Sequence, residues 1–459
     1  MSRADDRPVV IVSNRGPLSF TTVDGSPVAK RGSGGLVSGL APLLDSGRAS
    51  WTAAALSDAD RSAIDDDGLA RGAGLEVRLI DIDTHTMRRY YDDISNSTLW
   101  FVHHGLYDRV RAPAYDQGWW DAWEAYREVN NRFAESIAEH APGGARVLVQ
   151  DYHLSLVARR ARLERDDLSF VHFHHTPFAG PEDFSALPPS VRKELLEGLS
   201  SHDACGFHTS NWETNYRLTS SRFGVAAGRT FIGTLNSDLD DLRTVAAGEA
   251  CRTALDALEE VVGDRTLIAR VDRMELSKNI VRGFAGYDRL LERRPDLRGR
   301  VVFAATCYPS RLGVEDYRRY HDEVIDSVAL VNERWGDADW QPIHLFTDDD
   351  FPRSVALMRR YDVLLVNPIR DGLNLVAKEG PALNEHDGSL VLSTEAGAYS
   401  ELNEACDGLF PFDIEATADA LEAAIDRDPQ QRAFTARNLE ALATARTPAD
   451  WLADQLEAG

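Results

Sequence analysis

Four short segments carry side chains whose types and spacing could handle a phosphorylated substrate. The first is Ser13-Asn14-Arg15-Gly16-Pro17, directly after an apolar run. An arginine there can grip a phosphate through two parallel hydrogen bonds, and ligands of open α/β sheets bind just beyond the carboxyl ends of strands. Alone, the fragment also fits a surface arginine after a strand. The second is Arg31-Gly-Ser-Gly-Gly-Leu36, in which Gly34 and Gly35 precede an apolar helix expected at 36–44. A glycine-rich turn before a helix exposes backbone N–H groups to an anion. Its spacing matches neither the P-loop nor the dinucleotide fingerprint, so it reads equally well as a plain turn.

The third segment is Arg273-Met-Glu-Leu-Ser-Lys278, after an apolar run at 266–271. Two fixed cations suit a departing diphosphate, on which negative charge grows in the transition state. The bland reading is a pair of solvated charges. Against it, lysine occurs only at 30, 193, 278 and 378, while arginine supplies the other basic residues. The fourth segment, Asn367-Pro-Ile-Arg-Asp-Gly-Leu-Asn-Leu-Val-Ala-Lys-Glu379, reads as a strand end, a turn at Asp371-Gly372 and a helix. The amides of Asn374 and Leu375 would stand at that helix's N-terminus and cradle a phosphate. Glu379, about two turns on, would reach the paired hydroxyls of a sugar.

Three other signals are weaker. Asp81-Ile-Asp83-Thr84 looks like the DxDxT loop of aspartyl phosphatases but lacks a visible downstream lysine and acidic metal motif. His172, His174 and His175 could ligate a metal, yet on one strand the first two share a face and the third opposes them. Asp348-Asp-Asp350 imitates a metal-binding DxD but precedes a helix expected at 352–360, where an acidic cap is the simpler reading.

The elements that must position these residues alternate in type. Strands are expected at 8–13, 98–103, 146–150, 169–174 and 203–208, then at 266–271, 301–306, 342–346, 362–367 and 388–393. Most are unbroken aliphatic runs, the pattern of strands covered on both faces in a parallel sheet. Helices are expected at 119–140, 188–200, 249–262, 280–293, 314–335 and 416–427, giving a doubly wound α/β rhythm. The polar, turn-rich stretch 232–242 interrupts it and marks a domain boundary. The tail 448–457 reads as a short amphipathic helix.

Composition bounds the rest. The 459 residues, 43% hydrophobic and 27% charged, are those of an ordinary globular protein of two or three domains. A net charge of −24 disfavours nucleic acid and anionic lipid as partners. Cys205, Cys251, Cys307 and Cys406 form no CxxC pair. The N-terminus lacks a signal-peptide core, and no apolar run approaches the roughly 20 residues that span a bilayer. The expectation is a reduced, cytoplasmic protein.

Taken together, SNRGP (13–17), GSGGL (32–36), VQDYHL (149–154), HHTPF (174–178), RMELSK (273–278), YPSR (308–311) and RDGLNLVAKE (370–379) resemble the trehalose-6-phosphate synthase family, glycosyltransferase family 20. The motifs follow the family's order across almost the whole chain. The resemblance implies a GT-B fold, with two Rossmann-like domains facing across a cleft and a C-terminal helix crossing back. The corresponding domains are 1–235, 236–446 and the helix 447–459. It implies retaining transfer of glucose from a nucleotide donor (UDP-, GDP- or ADP-glucose) to glucose 6-phosphate, with no metal and no other cofactor. A homo-oligomer is left open.

Carried over position by position, the resemblance implies that Arg15, Tyr91, Trp100 and Arg311 bind the acceptor phosphate. Asp151 would hydrogen-bond acceptor hydroxyls, and His175 would lie near the reacting centre. Gly34, Gly35, Asn374, Leu375 and Glu379 would bind the donor, Arg273 and Lys278 its diphosphate, and Asp371 the glucose hydroxyls. Three departures stand out: Thr52-Ala-Ala-Ala55 in place of Gly-Trp-Ser-Gly, Met274-Glu-Leu-Ser-Lys-Asn279 in place of Leu-Asp-Tyr-x-Lys-Gly, and Thr234-Leu-Asn236 near the boundary. They keep open a glucosylglycerol-phosphate synthase, a pseudo-glycosyltransferase acting on a cyclitol phosphate, and an inactive sugar-phosphate-binding regulatory subunit.

Overall fold

Unbroken aliphatic runs become the central strands. β1 (Val9–Ser13) is buried at every position, as a Val-Val-Ile-Val run covered on both faces must be. The structure, a computed structural model, describes residues 7–32, 37, 39–40, 43–44, 47 and 49–459. The chain forms two compact units, 1–235 with 448–459, and 236–447.

In the first unit β2 (Leu18–Val23) and β3 (Ser26–Arg31) form a separate hairpin. Its turn, Asp24-Gly25, has φ of 49° and 78°, the positive angles that match strand twist in a two-residue loop. The remaining strands are β4 (Ala49–Ala54), β5 (Leu69–Gly72), β6 (Leu75–Ile80), β7 (Arg146–Gln150), β8 (Ser169–His174), β9 (Ala204–Phe207) and β10 (Arg229–Ile232). With β1 they make an eight-stranded sheet in the order β10-β9-β8-β7-β1-β4-β6-β5. Only β5 and β6 pair antiparallel in it. The helix Pro448–Ala458 returns to this unit. Its Trp451 is fully buried against Phe173, with ring centroids 5.2 Å apart.

In the second unit β11 (Thr266–Met274), β12 (Val301–Pro309), β13 (Ile343–Phe346), β14 (Val363–Val366), β15 (Ser389–Ser393) and β16 (Asp407–Leu409) form a parallel sheet. Their order is β13-β12-β11-β14-β15-β16. These two sheets, each wrapped by helices, are the Rossmann-like layers of a GT-B fold.

One expected strand is wrong. Residues 98–103 are helical: a π-helix covers Arg89–Leu99 and an α-helix Trp100–His104. A short apolar run does not distinguish strand from buried helix. Here hydroxyls five residues on support the wide turns: Ser95 Oγ donates to Tyr90 O, Ser97 Oγ to Asp92 O and Thr98 Oγ1 to Asp93 O. β4 and β6 were not expected, because Ala49-Ser-Trp-Thr-Ala-Ala54 carries no long aliphatic run and Leu75-Glu-Val-Arg-Leu-Ile80 alternates. The stretch 232–242 holds the start of a helix, Leu239–Ala247, capped by Asp238.

Candidate functional site

In the first unit the expected residues gather at the carboxyl ends of β1, β7 and β8. Arg15 is exposed two residues beyond β1, and its carbonyl accepts a hydrogen bond from Ser13 Oγ at 2.7 Å. Ser13 Oγ also accepts from Trp51 Nε1 at 2.8 Å, so a buried indole in β4 supports this strand end. Asp151 follows β7 directly, with φ of 69°. Its Oδ1 accepts from the His175 amide at 3.2 Å, and His153 Nδ1 lies 3.8 Å from Oδ2. The left-handed backbone at Asp151 turns the chain sharply at the strand end and presents the carboxylate beside β8.

His175 Nε2 is 3.0 Å from Gln150 Oε1, and Gln150 Nε2 donates to Gln455 Oε1 at 2.9 Å. The last helix of the chain therefore reaches His175 through one amide. Burial pushes the His175 imidazole down to about 3, so it is neutral at physiological pH. A neutral ring can hydrogen-bond sugar hydroxyls without adding charge.

The π-helix brings in the aromatic groups. Tyr91 stacks on His153 at 5.8 Å, and Trp100 stacks on His104 at 3.9 Å and lies 6.2 Å from Tyr152. Tyr90 OH donates to Asn14 Oδ1 at 2.9 Å, which ties this segment to the end of β1. Gly34 and Gly35 lie outside the described residues.

In the second unit Lys278 Nζ donates to Asp371 Oδ2 at 2.7 Å and is 3.7 Å from Asp272 Oδ1. Burial works against its charge, but Asp371, Asp272 and Glu275 together hold its pKa above the usual lysine value. Asn374 is left-handed, with φ of 76°, and its Nδ2 donates to Asp371 Oδ2 at 3.1 Å. Leu375 caps the helix Val376–Leu383. Glu379 sits in the first turn of that helix, not two turns along, and accepts from Ser237 Oγ. Burial raises the Glu379 pKa, and the Ser237 hydrogen bond opposes this.

Arg273 Nη1 is 3.0 Å from Glu275 Oε1, and Arg311 Nη1 is 3.7 Å from the same oxygen. Arg311 Nη1 also donates to Tyr317 OH at 2.7 Å. Glu275, fully buried, thus gathers two of the expected arginines. Sequence reasoning missed it, together with Gln150, Gln455 and Arg270. The available signal was the Glu275 position inside the Arg273–Lys278 segment; Gln455 had none.

The weaker signals have structural explanations. Asp83 caps the short helix Thr84–Arg88, accepting from the amides of His85 and Thr86. Asp350 caps Phe351–Arg360, accepting from the Arg353 amide at 3.0 Å. His172 and His174 are buried in the core beneath the sheet. Among the described residues no cluster of His, Cys, Asp and Glu is arranged to hold a metal.

The departures are also accommodated. Ala54 N donates to Asn14 O and Ala55 N to Ile80 O, which keeps β4 bound to its neighbours. Asn236 Nδ2 donates to the carbonyls of Ala443 and Arg446. Asn279 stands where the family pattern has glycine and keeps a left-handed φ of 60°. Asparagine tolerates that region better than most residues.

The family model for glycosyltransferase family 20 matches residues 7–458. The trehalose-6-phosphate synthase of Mycolicibacterium smegmatis is 33% identical over 476 residues, covering 98% of this chain and 92% of the relative. The E. coli trehalose-6-phosphate structure with UDP-2-fluoro glucose bound has a TM-score of 0.85 at 25% identity, covering 98% of this chain and 99% of that one. A synthase (UDP-forming) from Burkholderia xenovorans, in complex with glucose-6-phosphate, has a TM-score of 0.84 at 25% identity, with coverage of 98% and 99%.

Proposed function

The chain belongs to glycosyltransferase family 20, and on that premise we propose that it transfers glucose, with retention, from a nucleotide-glucose donor to glucose 6-phosphate, giving α,α-trehalose 6-phosphate. The observation that carries the donor half is the set of charged groups at the ends of β11 and β14. Arg273 and Lys278 stand there with Asp371, and Asn374 precedes a helix N-terminus. Two cations and oriented amides can neutralise a leaving diphosphate without a divalent ion. Asp371 is suited to the glucose hydroxyls, and Glu379 to the ribose.

The first unit supports the acceptor half. Arg15 is suited to grip the phosphate, Tyr91 and Trp100 are assigned to the same phosphate on the family pattern, and Asp151 to the acceptor hydroxyls. Arg311 is assigned to the same phosphate on the family pattern. Burial lowers the His175 pKa to about 3, so this ring is a weak base. That suits front-face attack, in which the leaving phosphate oxygen takes the acceptor's proton while the protein orients and neutralises. No helix among the described residues is long and apolar enough to cross a membrane. All four cysteines are free thiols, which suits a reducing cytoplasm.

The test is nucleoside diphosphate release from UDP-, GDP- and ADP-glucose against glucose 6-phosphate, glycerol 3-phosphate and glucose, with the product's anomeric configuration read by NMR. UDP-glucose with glucose 6-phosphate should dominate and give the α,α product. Preference for glycerol 3-phosphate, or no release with any donor, would overturn the reading. Arg15→Ala should lower kcat/KM for glucose 6-phosphate about 10- to 10²-fold, the range for one charged hydrogen-bonding group, and affect glucose much less. An unchanged ratio between the two acceptors would remove Arg15 from the phosphate site.

A further inference from the structure

The second unit contains a buried arginine that the proposed chemistry does not use. Arg270, in β11, has no solvent exposure. Its Nη1 donates to Asn367 Oδ1 at 2.6 Å. Its Nη2 donates to the main-chain carbonyl of Lys278 and lies 3.0 Å from Asp272 Oδ2. One guanidinium thus binds the strand it belongs to, the turn that carries Lys278 and the residue just beyond β14. Burying this charge is strongly unfavourable unless such partners compensate it, so the arrangement demands a reason.

The surrounding groups bind the same turn. Asn279 Nδ2 donates to Asn367 O at 3.0 Å and to Pro411 O at 2.7 Å, and Asn367 Nδ2 donates to Asn279 O at 3.3 Å. The Ile369 amide donates to Ser277 O at 2.8 Å. The helix Ile280–Arg293 leaves room for the guanidinium at Gly283. A Cβ there would come within 2.6 Å of Arg270 Nη1 and 3.2 Å of Asn367 Oδ1. Glycine is the poorest ordinary residue inside a helix, and this slot gives it a packing reason.

We propose that Arg270 is a positioning residue for the donor diphosphate: it holds the Lys278 carbonyl and the Asp272 carboxylate so that Lys278 Nζ stays beside Asp371 at the strand end. The inference rests on the reading of this unit as the donor-binding one. Lys278 stands between two carboxylates, at 2.7 Å and 3.7 Å. With Arg270 in place, Asp272 already has a cationic partner. Without it, Asp272 competes fully for the ammonium and draws it inward, away from phosphate oxygens.

The test compares Arg270→Met, Gly283→Ala and the double variant with wild type in the full chain. Steady-state constants are measured for each substrate, UDP affinity by calorimetry, and Tm alongside. Arg270→Met should lower kcat/KM for the nucleotide-glucose about 10²-fold, as expected for a displaced charge-stabilising group, while the KM for glucose 6-phosphate stays within about twofold. Gly283→Ala should act in the same direction, about 10-fold, because its methyl group pushes on Nη1 without removing any charge. The double variant should be no worse than Arg270→Met alone. Equal loss for both substrates, a folded Arg270→Met with unchanged donor constants, or multiplicative effects in the double variant would each overturn the proposal. If Arg270→Met does not fold, the donor-against-acceptor split in Gly283→Ala decides. If wild type binds UDP but transfers no glucose, the functional reading fails separately. Weaker UDP binding by Arg270→Met would then still support positioning, and unchanged binding would refute it.

Discussion

The two units solve the same problem, holding polar groups at the ends of buried strands, in opposite ways. The first relies on neutral rings. His172, His174, His175 and His202 lie within or against its core, among Tyr90, Tyr126, Tyr152 and Phe173. Burial drives His172 and His174 well below the ordinary histidine value, and His202 down to about 4. The second relies on compensated charge: Arg270, Asp272, Lys278 and Asp371 form a chain of alternating sign, with Arg273, Glu275 and Arg311 beside it. A site that must bind sugar hydroxyls and a remote phosphate needs shape and few charges. A site that must stabilise a leaving diphosphate needs fixed cations, and fixed cations need carboxylates to hold them between turnovers.

The largest expected effect lies in the charged unit. Arg273→Ala and Lys278→Ala should each lower kcat by about 10²-fold or more, as loss of one charge-stabilising donor does. They should differ in stability. Arg273 is 43% exposed at its side chain and Glu275 keeps Arg311 as a second cationic partner, so its loss should lower Tm less than loss of Lys278. Lys278 is 15% exposed and paired with two carboxylates, so its loss should cost about 3 kcal/mol, the low end for breaking a buried pair. Calorimetry of both variants checks this. Equal Tm values would mean that the ion network is not what organises the unit.

The next effect lies in the neutral unit and concerns acid. The folded pKa values of His172, His174, His175 and His202 lie below the unfolded value near 6.5, so the unfolded chain binds more protons. Their stabilisation is therefore present above about pH 6.5 and is lost as pH falls towards the folded values. His202 alone should account for roughly 3 kcal/mol between pH 6.5 and 4. Limited proteolysis across that range should cut the first unit before the second. His172, whose two ring nitrogens find no partner in its buried place, offers a sharper version. His172→Leu should flatten the acid limb of the stability curve, and an unchanged limb would exclude His172 as one of its sources.

The smallest expected effect is a null. On the proposed assignment of Arg273 and Lys278 to the diphosphate, EDTA should leave kcat unchanged, measured with the enzyme stripped of adventitious ions. A strict Mg²⁺ or Mn²⁺ requirement abolished by changing Asp348 or Asp349 would contradict the contrast drawn between the units.

Much of this molecule could be read along the chain because its signals are local. β1, β7, β11 and β14 are aliphatic runs with a polar residue at the carboxyl end, and in a parallel sheet that is where function sits. Arg15 and Lys278 were singled out in that way, Asp371 by its turn with Gly372, and Asp151 only through the VQDYHL motif of the family resemblance. The helical state of 98–103 was not legible, because the hydroxyls that favour the π-helix act at a spacing that no common pattern anticipates. The weak DxDxT and DxD signals resolved into helix caps, a reading available from the sequence for Asp350 but not for Asp83.

By itself, then, the sequence determined the α/β class, the strands of both sheets in large part and the types of side chain placed at their carboxyl ends, since hydrophobic periodicity and turn residues act over a few positions. Only tertiary structure decided which groups hold those residues in place. Gln455 reaches Gln150 across 305 residues, and Arg270 meets Asn367 across 97, in a slot opened by Gly283. The physical reason is that a buried polar group is satisfied by whatever partner the packing brings within about 3 Å, and sequence separation has no bearing on that distance.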